Sequence, residues 1–380
     1  MPKIPPLDLE RQFAVIGPEI NVAVLSVLAS GNYIGGAAVA DFEQQLAQYI
    51  GTSHSIACNS GTDALYLALR ALGIGPGDEV ITSPFTFIAT AEVISQVGAT
   101  PVFVDIDPQT FNLDPVRVEA AVTGQSRAII PVHLFGQAAA MSHLQEIATR
   151  HSLYVIEDCA QAIGATWKDK TVGSIGTIGC FSFYPTKNLG ACGDGGAVTT
   201  NDPDIAAQIL LLRDHGRRSG YTYETVGVNS RLDSLQAAIL SIKLRYLDQW
   251  NQQRQTVADR YTQLLSHVPG IVLPTVLPEA QSVWNQYTLR VLQENRKEAV
   301  GEHRDRIRQH LQSLGVASMV YYPLPLHLQP VYAALGYQPG QLPHAERVAH
   351  EVLSLPMFPE LTESEQEAVR DALKTALQGT

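Results

Sequence analysis

The stretch "CFSFYPTKNLGACGDGGAVTT", Cys180 to Thr200, sets two short apolar runs on either side of one lysine, Lys187. "GCFSFYP" and "GGAVTT" have the length and residue types of strands. The segment between them holds Pro, Asn and Gly, which is turn chemistry. A lysine on a solvated helix face needs no such setting. A lysine placed beyond the end of a strand to meet a ligand does.

Outward from this stretch, strand-like and helix-like runs alternate from about Phe42 to Thr200. "DFEQQLAQYIG" puts Phe42, Leu46, Tyr49 and Ile50 on one helical face, closed by Gly51. "SGTDALYLALRALG", "TAEVISQVGA" and "MSHLQEIATRH" read as helices. "DEVIT", "TPVFVDID", "AIIPVHLFG" and "LYVIEDCA" read as strands. Short apolar strands between amphipathic helices predict an α/β fold, with a mostly parallel sheet covered on both faces. One long helix is expected over about Ser234 to Leu265. Beyond "VPGIVLP" the pattern changes: strand-like "NQYTLRV" and "ASMVYYP" bracket the helix "HRDRIRQHLQSLG", and "AERVAHEVL" and "ESEQEAVRDALKTAL" add two more helices. The expected division is a large α/β domain over 1–250 and a smaller α+β domain over 251–380.

The chain has 380 residues and a formal charge of −11, with no basic stripe on any expected helix. That balance argues against binding nucleic acid. The apolar stretches read as strand-length, broken by Pro, Gly or charge, so no membrane span is expected. The N-terminal "MPKIPPLDLERQF" lacks the apolar centre of a secretory signal, which makes the cytoplasm the expected location. Cys58, Cys159, Cys180 and Cys192 match no zinc spacing and are expected to be reduced. No structural or catalytic metal is expected.

In an open parallel sheet, ligands bind beyond the carboxyl ends of the strands. Four segments lie at such places. In "NSGTDAL", Gly61 and Thr62 open a helix and offer N–H groups, a hydroxyl and the positive end of the dipole, which suits a phosphate or simply caps the helix. In "VIEDCAQAIGA", apolar residues lead to Glu157 and Asp158, either as a capping pair or as a desolvated acid needing a cationic partner. Gln161 follows and could face the same cavity. Lys187 is the third. A buried lysine can be neutral and nucleophilic, and its natural covalent partner is an aldehyde. The fourth is "SPFTFIAT", where Phe85 or Phe87 could stack on a flat ring or belong to the core. Pyridoxal phosphate needs a lysine, an anion for its ring nitrogen and a phosphate cradle. Lys187, Asp158 and Gly61–Thr62 supply one of each. "GIGPGDE" resembles a dinucleotide fingerprint, but it precedes a strand, so it reads as a turn.

The combination of "NSGTDALYLALRALGIGPGDEVI", "VIEDCAQAIGA", "SFYPTKNLGACGDGGAV", "VGVNSRLDSLQAAIL" and "YYPLPLHLQP" resembles the fold-type I, pyridoxal-phosphate-dependent nucleotide-sugar aminotransferases, the DegT/StrS group. The resemblance runs nearly end to end. It implies a large domain with a seven-stranded sheet, and Lys187 as the Schiff-base lysine that also moves a proton at the donor's α-carbon. It implies Asp158 at the pyridinium nitrogen, Gln161 near the ring hydroxyl, Gly61, Thr62 and Ser182 around the phosphate, and Phe87 over the ring. Asn229 would reach the cofactor phosphate of a neighbouring subunit, implying a homodimer with shared sites. Arg231 is a candidate for a carboxylate or phosphate of the substrate, and Tyr321 and Tyr322 would lie near the sugar.

The implied reaction is transfer of an amino group from L-glutamate to a nucleotide-linked keto-sugar. "GDGG" after the lysine resembles the branch acting at C3, on a dTDP-3-oxo-6-deoxyhexose or a UDP-3-oxo-N-acetylglucosaminuronate. Action at C4 and a non-catalytic regulatory relative are the alternatives. The chain departs from many relatives at Tyr321, where they carry His, and at Ala140, where they carry an acid.

Overall fold

The computed structural model describes residues 3–292 and 301–378. Its centre is a seven-stranded sheet built from β1 (His54–Cys58), β2 (Glu79–Thr82), β3 (Thr100–Phe103), β4 (Ser126–Ile130), β5 (Tyr154–Asp158), β6 (Ile178–Ser182) and β7 (Gly196–Thr200). The order across the sheet is β1-β7-β6-β5-β4-β2-β3. The pairs β2–β3, β2–β4, β4–β5 and β5–β6 are parallel, and β7 alone runs against its neighbours β1 and β6.

Successive strand residues go to opposite faces, and both faces are apolar. Ala57, Ile81, Ile129, Val155, Phe181 and Ala197 pack in one core with α2 (Gly36–Ile50), α6 (Met141–His151) and α8 (Ser234–Leu244). Ile56, Val80, Ala128, Ile156, Cys180 and Val198 pack in a second with α3 (Gly61–Ala71), α4 (Ala89–Gln96) and α7 (Pro203–Arg213). Near-continuous apolar strands are what a sheet covered twice requires. α5 (Pro115–Ala121) lies beside α6.

A separate three-stranded sheet, β8 (Ile271–Val272), β9 (Tyr287–Val291) and β10 (Val352–Leu355), packs with α9 (Leu247–Leu265), α10 (Glu302–Ser313) and α12 (Glu363–Gln378) around its own core. α11 (Pro343–Glu351) leads into β10. Ile4 crosses over and is buried in this core, bridged to Val316.

Three expectations are corrected. The run from Ser234 to Leu265 is two helices, not one. Arg245 and Tyr246 turn through short-range N–H···O bonds to Ile242 and Lys243. Tyr246 stacks on Trp250, and both Arg245 and Tyr246 bond Glu19, so tertiary anchors override helical periodicity. "ASMVYYP" is not a strand; Met319 makes a single bridge to Ser354. Finally, Leu9–Ser30 forms a 22-residue helix, α1, overlooked in the sequence because Pro18, Glu19 and Gly17 interrupt it. By length and composition α1 is apolar enough to cross a membrane, with mean hydropathy 1.7 over its most apolar window. One side of it packs on α8 through Ile16 and Ile20, while Val15, Val22 and Leu25 are more than 60% exposed.

Candidate active site

The residues with chemistry gather where β5 and β6 end side by side. Asp158 is the last residue of β5 and pairs in register with Cys180 of β6; Ser182 ends β6. The chain then turns, with the Lys187 N–H donating to Tyr184 O (2.8 Å) and the Ala191 N–H to Phe183 O (2.7 Å). Gly190 is obligatory in this turn, because a Cβ there would lie 2.3 Å from Pro185 O.

Asp158 is buried. Its Oδ2 accepts from Thr90 Oγ1 (2.8 Å) and its Oδ1 from the Ala160 N–H (3.1 Å). Burial pushes its carboxyl up, while Thr90, Ala160 and the charge of Lys187 pull the other way. Lys187 shows the converse: burial draws its amine down to about 8, and only the field of Asp158 opposes this. Among the described residues no carboxylate forms an ion pair with Lys187 Nζ. A carboxylate made basic and an amine made acidic across one site is the arrangement that lets one lysine accept and return a proton near neutral pH.

The phosphate end is shaped by close approach. A Cβ on Gly61 would lie 2.6 Å from Ser182 Cβ, and one on Gly196 would lie 2.3 Å from Ser60 O. The Ser60–Gly61 peptide is thereby pressed between two strands, with Ser182 against the first turn of α3. Ser60 Oγ accepts from the Asp63 N–H (3.1 Å), and the N–H groups of Gly61 and Thr62 have no partner among the described residues. Together with the dipole of α3 they present donors to an anion. Phosphate, aldehyde and basic ring nitrogen are thus each met by a fitting group, so these residues suit pyridoxal phosphate.

Gln161 is fixed at both ends. Its Oε1 accepts from the Phe135 N–H (2.7 Å) and its Nε2 donates to Tyr322 Oη (3.1 Å). Burial raises the Tyr322 hydroxyl well above the ordinary tyrosine range. Its ring meets Phe85 edge-on at 6.0 Å, and Tyr321 at the same distance. Of the two phenylalanines in "SPFTFIAT", Phe85 is in the core and Phe87 is 58% exposed.

Asn229 and Arg231 flank Ser230, whose Oγ donates to Asn59 Oδ1 (3.2 Å) just ahead of the phosphate end. Asn229 is exposed and bridges Asp214 through its backbone. Arg231 Nη1 donates to Asp214 Oδ1 (3.0 Å), while its Nε is buried without a partner. Arg231 lines a cavity of ≈ 280 Å³ with Gly35, Arg213, Asp214 and Arg217.

Three participants were not singled out in the sequence. Thr90 lies inside a quoted segment, but nothing in its spacing pointed at Asp158. His133 Nε2 sits 2.9 Å from Glu157 Oε2, and His133 Nδ1 accepts from the Ala139 N–H (3.0 Å), so Nε2 carries the proton. Glu157 also accepts from the N–H groups of Gly173, Ile175 and Gly176. With Cys159, this pair has the spacing of a metal site. Every side-chain nitrogen and oxygen of His133 and Glu157 already has a protein partner, so the pair acts as an internal brace. The third is Asn188, taken up below. All four cysteines are free; Cys192 is the exposed one.

Residues 14–374 match the DegT/DnrJ/EryC1/StrS aminotransferase family. The chain is 51% identical to the "Pleiotropic regulatory protein" of Geobacillus stearothermophilus, over 96% of each chain. It is 44% identical to the "dTDP-3-amino-3,4,6-trideoxy-alpha-D-glucose transaminase" of Streptomyces venezuelae, over 98% of this chain and 96% of that one. Among solved structures, DesV of S. venezuelae in complex with a ketimine intermediate superposes with a TM-score of 0.94 at 44% identity, over 99% of this chain and 98% of that one.

Proposed function

The chain belongs to the DegT/DnrJ/EryC1/StrS aminotransferase family, and from that premise we propose that Lys187 and Asp158 run amino transfer onto C3 of a nucleotide-linked 3-oxo sugar. It is a pyridoxal-phosphate-dependent aminotransferase with a large α/β domain of fold-type I. The observation that carries the residue assignment is the pairing of a buried, basic Asp158 with an acidified Lys187 beyond adjacent parallel strands.

When bound, pyridoxal phosphate supplies the electron sink that lets a proton leave the donor's α-carbon. Lys187 would move that proton from the donor's α-carbon to the cofactor in the first half-reaction, and in the second would move one from the cofactor to the sugar carbon. Asp158, kept in place by Thr90, holds a proton on the ring nitrogen. Gly61, Thr62 and Ser182 hold the phosphate, Gln161 sits beside the ring hydroxyl, and Phe87 covers the ring. Tyr321 and Tyr322 border the sugar. Arg231, with its free Nε, meets an anionic group of the substrate. L-glutamate is the donor in this reading.

A homodimer completes it. The exposed apolar side of α1 and the exposed Asn229 each support contact with a second copy, in which Asn229 would reach the partner's phosphate. The packing of Ile16 and Ile20 on α8 supports an interface helix over a membrane span, and so a cytoplasmic enzyme. We place the domain boundary near residue 250, within α9: Leu247 packs with the large sheet and Val257 with the small one. The regulatory name borne by one relative describes that protein; a non-catalytic role gives Lys187 and Asp158 no reason to be tuned in opposite directions.

The test is absorbance of the purified protein with pyridoxal phosphate, before and after L-glutamate, followed by 3-oxo and 4-oxo sugars linked to dTDP or UDP. The expected result is a visible band that glutamate bleaches and a 3-oxo sugar restores. Restoration by a 4-oxo sugar alone would overturn the C3 assignment. Failure to form any band would overturn the reading.

A further inference from the structure

The residue after Lys187 is held more firmly than its place in a turn requires. Asn188 is 4% exposed. Its Nδ2 donates to Val283 O (2.9 Å) and to Asn251 Oδ1 (2.8 Å), and its Oδ1 accepts from Asn285 Nδ2 (2.8 Å). A backbone carbonyl can only accept, so the bond to Val283 fixes the orientation of the amide and, through it, those of both neighbouring asparagines.

These partners belong to two different parts of the fold. Asn251 sits on α9, and its Nδ2 donates to Ile163 O (3.2 Å), two residues beyond Gln161. Asn285 leads into β9 of the small sheet. Its backbone O and those of Trp284 and Met357 accept from Arg254 Nη1 at 3.1–3.4 Å. Arg254 is itself buried, which draws its guanidinium down to about 10. At the other end of the turn, the buried Lys243 donates from Nζ to Gly190 O (2.7 Å).

We propose that Asn188 is a positioning residue for Lys187: locked between Asn251 and Asn285, it fixes the turn so that the Lys187 amine stays within the strand ends, facing Asp158. The proposal rests on Lys187 being the lysine that joins the cofactor. Asn188 itself touches neither cofactor nor substrate in this scheme. The charged group whose field Lys187 feels is Asp158 on β5. A loosened turn admits water to the amine, and a hydrated lysine returns toward its ordinary value of about 10.4.

The experiment uses the full chain without cofactor. The protein is acetylated with acetic anhydride over a range of pH, and modification of Lys187 is read by mass spectrometry. The midpoint of the pH profile is scored instead of the rate, because opening the turn also changes access. In the unaltered protein the midpoint should fall near 8. Asn188→Ala should raise it by about one unit or more, equivalent to about tenfold in the neutral fraction at pH 7.5. Asn285→Ala removes one of the three bonds and should give a smaller rise; it stands in if Asn188→Ala does not fold, as judged by thermal denaturation. A folded variant with an unmoved midpoint overturns the proposal. Borohydride reduction of the cofactor-loaded protein, followed by peptide mapping, checks the premise separately: a cofactor fixed on any other lysine overturns the assignment of Lys187, and the proposal with it.

Discussion

The two faces of the sheet at the end of β5 carry adjacent carboxylates with opposite roles. On one face Glu157 is ringed by His133 and three backbone N–H groups, leaving it nothing further to bind. On the other, Asp158 has one hydroxyl, one N–H and the field of a lysine that does not reach it. The difference teaches what separates a brace from a reactive group. Both are buried, so burial does not distinguish them. What does is whether the protein has already supplied every partner. Glu157 stiffens the strand end, and Asp158 keeps an unmet demand for a cation.

The largest expected effect lies on the open face. Lys187→Ala should lower turnover by about 10⁴-fold or more, the upper range for a general acid–base group, while the thermal midpoint barely falls. A loss of fold instead would erase the contrast between the two faces.

On the closed face, Glu157→Gln should do the reverse. The amide nitrogen it introduces cannot accept from His133 or the backbone N–H groups around it, and each buried donor left unpaired costs about 1–3 kcal/mol, so the denaturation midpoint drops while kcat per folded molecule is largely retained. A kcat loss comparable to that of Lys187→Ala would show that the brace takes part in chemistry.

The pH dependence follows next. Lys187 holds its proton less tightly in the folded chain (about 8) than in an unfolded one (about 10.4). Between those values the unfolded chain binds the extra proton, so stability of the cofactor-free protein should rise with pH across that window. Below it, the full penalty of up to about 3 kcal/mol is present. Lys187→Met should flatten the rise and be the more stable protein at pH 7, as read by urea denaturation.

Thr90→Val should have the smallest effect, about tenfold in kcat. It removes one hydrogen bond, worth about 1–3 kcal/mol when the acceptor is charged, and leaves Asp158 in place. No change in kcat would mean that Ala160 alone suffices to hold the carboxylate.

Six strands of the sheet were legible in the sequence because apolar layers on both faces make their residues mostly apolar; β1 was not, since His54 and Ser55 open it and only three apolar residues follow. Gly61, Asp158, Gln161 and Lys187 stood out as candidates because the carboxyl ends of strands in an open sheet are where ligands bind; Ser182 came only from the family resemblance. Thr90 and His133 did not stand out, since their partners lie 68 and 24 residues away and neither spacing follows from periodicity. α1 escaped notice because Gly17, Pro18 and Glu19 interrupt it, and for one reason more. Its apolar residues run around more than one side, and Val22 and Leu25 face outward, so it lacks the single stripe by which a surface helix is recognised. The break at Arg245–Tyr246 depends on Glu19, distant in sequence and invisible to a local pattern.

The squeeze on the Ser60–Gly61 peptide has a hereditary consequence. At positions 61 and 196 any Cβ would collide with Ser182 or the Ser60 peptide, so a missense codon at either should displace the phosphate cradle while leaving Lys187 and Asp158 untouched. A gene copy could therefore keep every reactive side chain and still encode an inert protein. Inspecting those two codons would separate working copies from decayed ones before any enzyme is made.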